Sequence, residues 1–197
     1  MTRPRKDGGF PPADMPVRTL HSGWMDLHLV GLTGPDGAVF ERYVEDHGRA
    51  ACVLPYNPDT RMALLVTLPR AALRFAGGGD VLEAPAGMID EGETPVEAAR
   101  RELAEEAGLE VEVLESAGAV FSSPGSTTER ADLFLAAYSD AQRTGPGGGL
   151  DGENEHITVV EMPLADLWAL MDGEAAVDAK TRLMVQTLRI RRPELFS

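Results

Sequence analysis

Between Gly87 and Leu109 the chain reads GMIDEGETPVEAARRELAEEAGL, with Glu102, Glu105 and Glu106 standing at i, i+3 and i+4. On a helix that spacing sets three carboxylates on nearly one side. Like charges so close repel, and packing alone gives no reason to gather them. A hard divalent cation bound by oxygen ligands removes the conflict. The helix itself follows from local rules. Thr94-Pro95-Val96-Glu97 predicts a capping box, with Thr94 at the N-cap and Pro95 at the first helical position. Gly108 stands where a helix C-terminus favours a left-handed residue. Val96, Ala99, Leu103 and Ala107 recur at helical spacing and predict the stripe that faces the core. The three glutamates then line the rim of that stripe. Arg101 lies four residues from both Glu97 and Glu105, which predicts that it pairs with them and orients the cluster.

In full, the pattern is Gly87, five residues, Glu93, seven residues, then Arg101-Glu102-Leu103-x-Glu105-Glu106-x-Gly108-Leu109. At every defined position it resembles the signature of the Nudix hydrolases, which cleave a nucleoside diphosphate linked to another moiety with the help of magnesium or a similar ion. The resemblance implies an α/β fold: the Nudix α/β/α sandwich with a mixed central sheet, here carrying an N-terminal β-hairpin extension. It further implies that Glu102 and Glu106 ligate Mg2+, for which Mn2+ could substitute. Glu105 would be a further ligand or a base, and Arg101 an orienting group. In similar enzymes acting on nucleotide sugars the carbonyl at the position of Ala86 is also a metal ligand. A simple tight loop in Ala84-Pro85-Ala86-Gly87 fits the residues equally well.

Composition narrows the function. The 197 residues carry a net charge of −14, from 18 basic and 32 acidic side chains. So acidic a surface repels phosphate backbones and argues against a nucleic-acid partner. A small phosphorylated substrate stays admissible if local arginines and a metal offset the field. The single cysteine, Cys52, allows no internal disulfide and suits a reducing compartment. The N-terminus has basic residues with no apolar run behind them, unlike a secretory signal, and no stretch reaches membrane-span length. These readings predict a cytoplasmic protein without a membrane partner.

Residues 1–17, rich in Pro, Gly and charge, predict a mobile N-terminal segment. Residues 18–45 predict strands, with WMDLHLVGLT and AVFERYV joined by a turn at Gly34-Pro35-Asp36-Gly37. Residues 46–197 then form the Nudix domain. RAACVLPYN and MALLVTLP, separated by Asn57-Pro58-Asp59, predict buried strands of a central sheet. Gly77-Gly78-Gly79 predicts a loop before VLEAPAGMI, and VEVLESAGAVFSS and RADLFLAAYS predict strands broken by Pro124-Gly125. Residues 139–156 form a Gly-rich loop of a length that marks function or disorder. ITVVEMP predicts a strand, LADLWALMDGE a helix stopping near Gly173, and AKTRLMVQTLRIRR a final helix.

Ser123-Pro124-Gly125-Ser126-Thr127-Thr128-Glu129 lies fifteen residues past the signature, counted from Leu109 to Pro124. Alone it reads as a turn. It resembles the Ser-Pro-Gly element of the ADP-ribose and GDP-mannose pyrophosphatase branch, in which the residue matching Glu129 contacts substrate. Related enzymes also carry a catalytic glutamate on a loop just before a strand. Glu153 and Glu155 are the candidates, and Glu155 best reproduces the acid-then-strand order as a base or extra metal ligand. The stretch from Ser139 to Gly149 and the tract Asp178-Ala179-Lys180-Thr181 resemble the GDP-mannose subgroup, where a lysine at the position of Lys180 contacts ligand. Arg42 and Arg70 occupy places where those enzymes set arginines against nucleotide or phosphate. The usual Arg-Gln-x-Arg tract reads Thr67-Leu68-Pro69-Arg70 here and is followed by an insertion, 71–79.

The resemblance therefore implies a Mg-dependent pyrophosphohydrolase of a nucleotide sugar, with GDP-mannose favoured and ADP-ribose its rival. It implies a homodimer whose N-terminal strands help build each other's nucleotide pocket. A non-catalytic ligand-binding module of the same fold is the reading from another class.

Overall fold

The computed structural model describes Pro12, residues 14–150 and residues 156–197. Most of the expected N-terminal segment, together with Glu153 and Glu155, lies outside the described residues. The chain divides into two compact units. One runs to Ala50 and takes in Val120–Ala131; the other comprises Ala51–Ala119 and Asp132–Ser197.

The first unit holds an antiparallel sheet of β1 (Val17–Ser22), β2 (Asp26–Thr33) and β3 (Val39–Asp46). The turn at 34–37 forms as expected: Gly37 N–H donates to the Gly34 carbonyl at 3.0 Å, and Gly34 N–H to the Ala38 carbonyl at 2.8 Å. Gly37 takes φ +80°, a conformation that tolerates few side chains. The expected hairpin is, however, part of three strands. Ser22 Oγ donates to Asp26 Oδ1 at 2.7 Å and closes a tight turn there. Trp24 and Met25, read from sequence as strand, therefore fall between β1 and β2.

The larger sheet has the order β7-β8-β4-β5-β9, with β6 paired to β4. Its strands are β4 (Arg49–Asn57), β5 (Met62–Thr67), β6 (Ala86–Met88), β7 (Glu115–Phe121), β8 (Arg130–Ala137) and β9 (Thr158–Pro163). β4 is central and buried from Ala50 to Asn57, which is why its sequence is an unbroken apolar run rather than an alternation. Asn57 closes the turn to β5: its Oδ1 accepts from the N–H of Asp59 at 3.0 Å and of Thr60 at 3.2 Å. β5 pairs antiparallel with both β4 and β9.

The α-helices among the described residues are α1 (Ala71–Phe75), α2 (Pro95–Ala107), α3 (Leu164–Asp172) and α4 (Ala179–Arg191). Ala98, Ala99, Leu103 and Ala107 of α2 share one core with Ala51, Val53, Leu64, Phe134 and Ala136 of the sheet. Leu164, Leu167 and Met171 of α3 and Met184, Val185 and Leu188 of α4 are buried as well. The α/β class with a mixed sheet, expected from the sequence, holds.

Several local expectations are corrected. The core stripe of α2 excludes Val96, which is 36% exposed; Ala98 takes its place. Ala98 and Ala99, two and three residues further on, are the first of the helix to enter the core. The strand expected from Val111 begins only at Glu115. Beyond Gly108 the backbone pairs instead with the following loop, through a Leu109–Arg143 bridge and a Glu110 N–H bond to the Gln142 carbonyl at 3.0 Å. The 71–79 insertion opens with the short helix α1, closed by a bidentate Arg74–Asp80 ion pair at 2.8–2.9 Å through Nη2.

Candidate active site

The site is built around α2, and its ends are fixed as local chemistry predicts. Thr94 Oγ1 accepts from Glu97 N–H at 3.3 Å, and Glu97 Oε2 accepts from Thr94 N–H at 2.8 Å. Gly108 closes the helix at φ 66°, ψ 30°.

Glu102 and Glu106 are 9% and 4% exposed, one turn apart on the same face. The Glu105 side chain is more open, at 25%. Arg101 ties the cluster together. Its Nε and Nη2 grip Glu93 at 3.1 and 3.0 Å, and Nη1 reaches Glu102 Oε1 at 2.6 Å and Glu105 Oε2 at 3.3 Å. Nη2 also donates to the Met88 carbonyl at 2.9 Å, which fastens the helix to β6. The expected Glu97–Arg101 pair is replaced by Glu93–Arg101, because the capping box already engages the Glu97 carboxylate. The hydrogen bond from Arg101 holds the Glu93 carboxyl below the usual carboxylate range, and the same bond raises the guanidinium above its own. Arg101 is therefore permanently charged.

β6 forms the opposite wall. Ala86 N–H donates to Glu106 Oε2 at 2.9 Å. A methyl group at Gly87 would lie 1.9 Å from Glu102 Oε1, so the lack of a side chain there is what admits the carboxylate. Glu102 and Glu106 thus turn hard, largely buried oxygen donors toward the strand that carries the Ala86 carbonyl. That donor set suits Mg2+ or Mn2+. Among the described residues no three acidic, histidine or cysteine side chains are grouped as a ready cage. Two carboxylates and a backbone carbonyl would be a partial set, completed by donors outside the described residues, by water or by substrate.

The Gly-rich loop after β8 is fastened to the C-terminus of α2. Gly148 N–H donates to the Glu106 carbonyl at 2.8 Å and Gly149 N–H to the Glu105 carbonyl at 3.0 Å. Gly147, at φ +68°, passes so close that a Cβ would lie 2.3 Å from the Glu106 carbonyl oxygen. Glu106 is accordingly held at both its carboxylate and its carbonyl.

Arg70 and Lys180, expected on substrate, each have an internal partner. Arg70 binds Glu83 through two bonds of 2.8 and 2.9 Å, and Glu83 is only 5% exposed. Lys180 Nζ donates to Asp178 Oδ1 at 2.8 Å. Burial pushes the Asp178 carboxyl up, but Lys180 and the Thr181 donors outweigh it and hold the group below its ordinary value. Arg42 and Glu129 belong to the first unit. Arg42 stacks 4.7 Å from the centre of the Phe40 ring and donates to the Glu41 carbonyl at 2.9 Å. Glu129 Oε1 accepts from Ser122 Oγ at 2.5 Å, while Ser123-Pro124-Gly125-Ser126 is a turn closed by Ser126 N–H on the Ser123 carbonyl at 3.0 Å.

Sequence reasoning gave no role to Glu83, Glu93 or Thr181. Glu93 could have been found, because the spacing from Gly87 marks it. Glu83 leaves no local signal because its partner Arg70 lies 13 residues away, and the link of Thr181 to Ala84 spans 97 residues, although its contact with Asp178 is local.

The NUDIX domain family matches the chain over residues 46–183. The chain is similar to the GDP-mannose pyrophosphatase of Cronobacter sakazakii, 38% identical over 164 residues that cover 81% of this chain and 84% of that one. To the GDP-mannose pyrophosphatase of Klebsiella pneumoniae subsp. pneumoniae it is 40% identical over 179 residues, 87% and 88% of the two chains. Among solved structures it is similar to an ADP compounds hydrolase, with a TM-score of 0.69, 21% identity, and coverage of 90% and 94%. At that identity the likeness concerns the fold alone.

Proposed function

The chain belongs to the Nudix family and is a hydrolase of diphosphate bonds, and we propose that it cleaves a nucleotide sugar, GDP-mannose first, in a divalent-metal-dependent reaction. Water attacks one phosphorus, the bridging P–O bond breaks, and the products are a nucleoside monophosphate and a sugar 1-phosphate. One observation carries the reading: Glu102 and Glu106, both buried, face Gly87 and Ala86 while Arg101 holds the surrounding acids. A structural role for two buried carboxylates one turn apart would be costly.

Glu102, Glu106 and the Ala86 carbonyl would hold Mg2+ or Mn2+, with Glu105 a further ligand or base. When bound, the ion supplies screening of the diphosphate charge and Lewis acidity toward water. Arg101 sets the carboxylates in place before any ligand arrives. Glu155, which lies outside the described residues, takes the proton of the attacking water or joins the ligand set. Arg70, Lys180, Arg42 and Glu129 are assigned to the substrate. Homodimerisation through the first unit is supported by Trp24, Val39 and Tyr43, which are 81%, 68% and 65% exposed. The single Cys52 suits a cytoplasmic setting.

ADP-ribose, giving ribose 5-phosphate, is the second reading. It is favoured by the departure at Thr67–Arg70, where the second arginine of the tract is tied to Glu83 and followed by α1.

The test is a panel of GDP-mannose, ADP-ribose, other nucleotide sugars, dinucleoside polyphosphates and a capped RNA, each with and without Mg2+. Turnover confined to a nucleotide sugar plus metal is expected; turnover of none of them would leave the ligand-binding module as the better reading. Glu106→Gln should lower kcat by about three orders of magnitude. A loss under tenfold would remove Glu106 from the reaction.

A further inference from the structure

The segment Glu83-Ala84-Pro85-Ala86 runs into the signature glycine, and each of its residues is tied to a different neighbour. Glu83 exchanges backbone bonds with Val66 at 2.8 and 2.9 Å, and the Pro85 carbonyl accepts from Val53 N–H at 2.9 Å. Pro85 has no N–H of its own, so the donors on either side belong to Ala84 and Ala86. Ala86 N–H grips the Glu106 carboxylate at 2.9 Å. Ala84 N–H donates to Thr181 Oγ1 at 2.7 Å, across 97 positions of sequence.

Thr181 is fully buried on α4, at 0% exposure. Its hydroxyl donates to Asp178 Oδ2 at 2.7 Å, and its N–H donates to the same oxygen at 2.7 Å. A threonine hydroxyl has a single proton. With that proton spent on Asp178, a lone pair is left for Ala84 N–H. Asp178, the N-cap of α4, therefore fixes the polarity of the hydroxyl, and Lys180 on its other oxygen keeps it charged.

We propose that Asp178 and Thr181 form a polar latch which positions the Ala84–Ala86 segment, and through Ala86 N–H the Glu106 carboxylate, for metal binding. Both are positioning residues, since they act through Ala84. The part concerning metal rests on the function proposed above; the part concerning the Ala86 backbone does not.

Thr181→Val keeps the side-chain shape but removes the hydroxyl and leaves Ala84 N–H without its acceptor, whereas Thr181→Ser keeps the hydroxyl. Three quantities are read in wild type and both variants: the Kd for Mn2+ by electron paramagnetic resonance, kcat and KM on the preferred nucleotide sugar, and amide exchange of Ala86 by NMR. The Val variant should weaken Mn2+ binding about tenfold, the equivalent of one buried hydrogen bond. It should lower kcat while KM changes little, and should speed Ala86 exchange. Serine should restore all three. A packing role alone would lower the melting temperature of the Val variant while leaving Mn2+ affinity and Ala86 exchange as in wild type, and that result would overturn the latch.

If the wild-type protein binds no Mn2+ and cleaves none of the panel, the proposed function fails, and the latch is judged on Ala86 exchange alone. Should the Val variant not fold, Asp178→Asn keeps a good helix cap while weakening the acceptor. Faster Ala86 exchange in that variant would support the latch, and unchanged exchange would refute it.

Discussion

Gly87→Ala separates folding from chemistry at this site. The new methyl would lie 1.9 Å from Glu102 Oε1, 2.2 Å from its Cδ and 2.7 Å from Oε2. Ordinary contact begins near 3.4 Å, so the carboxylate must retreat by about 1.5 Å. What yields is the end of a side chain rather than backbone, and that keeps the cost to the fold small. The movement breaks the 2.6 Å bond from Arg101 to Glu102, a charge-assisted bond of roughly 1.5–3 kcal/mol before screening at this partly exposed pair. Against it stands a gain of about 0.4–1 kcal/mol from the stiffer unfolded chain. The balance is a net loss of about 1–2 kcal/mol, or roughly 2–8 °C in Tm for a chain of this size.

Activity should respond far more strongly. A reacting or ligating group displaced by about an ångström costs on the order of 100-fold in rate. Calorimetry and steady-state hydrolysis on one preparation decide the matter. The variant should be fully folded at 25 °C, as judged by circular dichroism, yet turn over about 100-fold more slowly. Under the proposed ligand set its apparent affinity for Mg2+ should fall, because the proposed donor Glu102 is the group displaced. If kcat stays within threefold of wild type, Glu102 is not where the reaction needs it. If instead activity merely tracks the unfolded fraction, the glycine serves the fold alone.

Gly147→Ala should do the reverse and cost stability first. Its Cβ meets a backbone carbonyl at 2.3 Å in a left-handed conformation, and the two N–H bonds to α2 must loosen, for a loss of about 2–4 kcal/mol by thermal melting. Gly145→Ala has open space at its Cβ and should stay within about 0.5 kcal/mol; equal effects at the two positions would refute the clamp. The Asp178 carboxyl is held below its ordinary value of 3.8, so the unfolded chain binds its proton more readily than the folded one. Its contribution is complete above that value and is lost as pH falls through the lower folded one. Tm measured between pH 6 and pH 3 (roughly the range where carboxylates titrate) should therefore fall more steeply in wild type than in Asp178→Asn, and parallel curves would contradict the assignment.

What the chain discloses in order along its length, and what it withholds, follow from the range of the forces involved. α2 was legible because its stop signals, its cap and its core alanines and leucine all act within a few residues of themselves. β4 and β5 were legible because a central strand covered on both faces needs an unbroken apolar run, and the turn residues Asn57-Pro58-Asp59 cut both runs to strand length. The failures fall where a local rule had a competitor. Periodicity gave Arg101 to Glu97, but the capping box had the prior claim on that carboxylate, and the guanidinium turned to Glu93 before the helix began. Val96 fits the apolar period but stays 36% exposed, and the core face of the helix begins at Ala98.

The acid pair shows the limit most clearly. Its residues can be read from the signature, yet the environment that makes them useful is assembled from β6, the 147–149 glycines and α4. A buried carboxylate is costly unless its neighbours supply donors or a cation. Those neighbours come from positions 20 residues before Glu106 and, one contact further on, 97 residues beyond Ala84. Charge repulsion along one helix was enough to argue for a metal, because that repulsion is a property of adjacent turns. How firmly the carboxylates are held depends on main-chain donors, which carry no mark in the identity of the residues that own them.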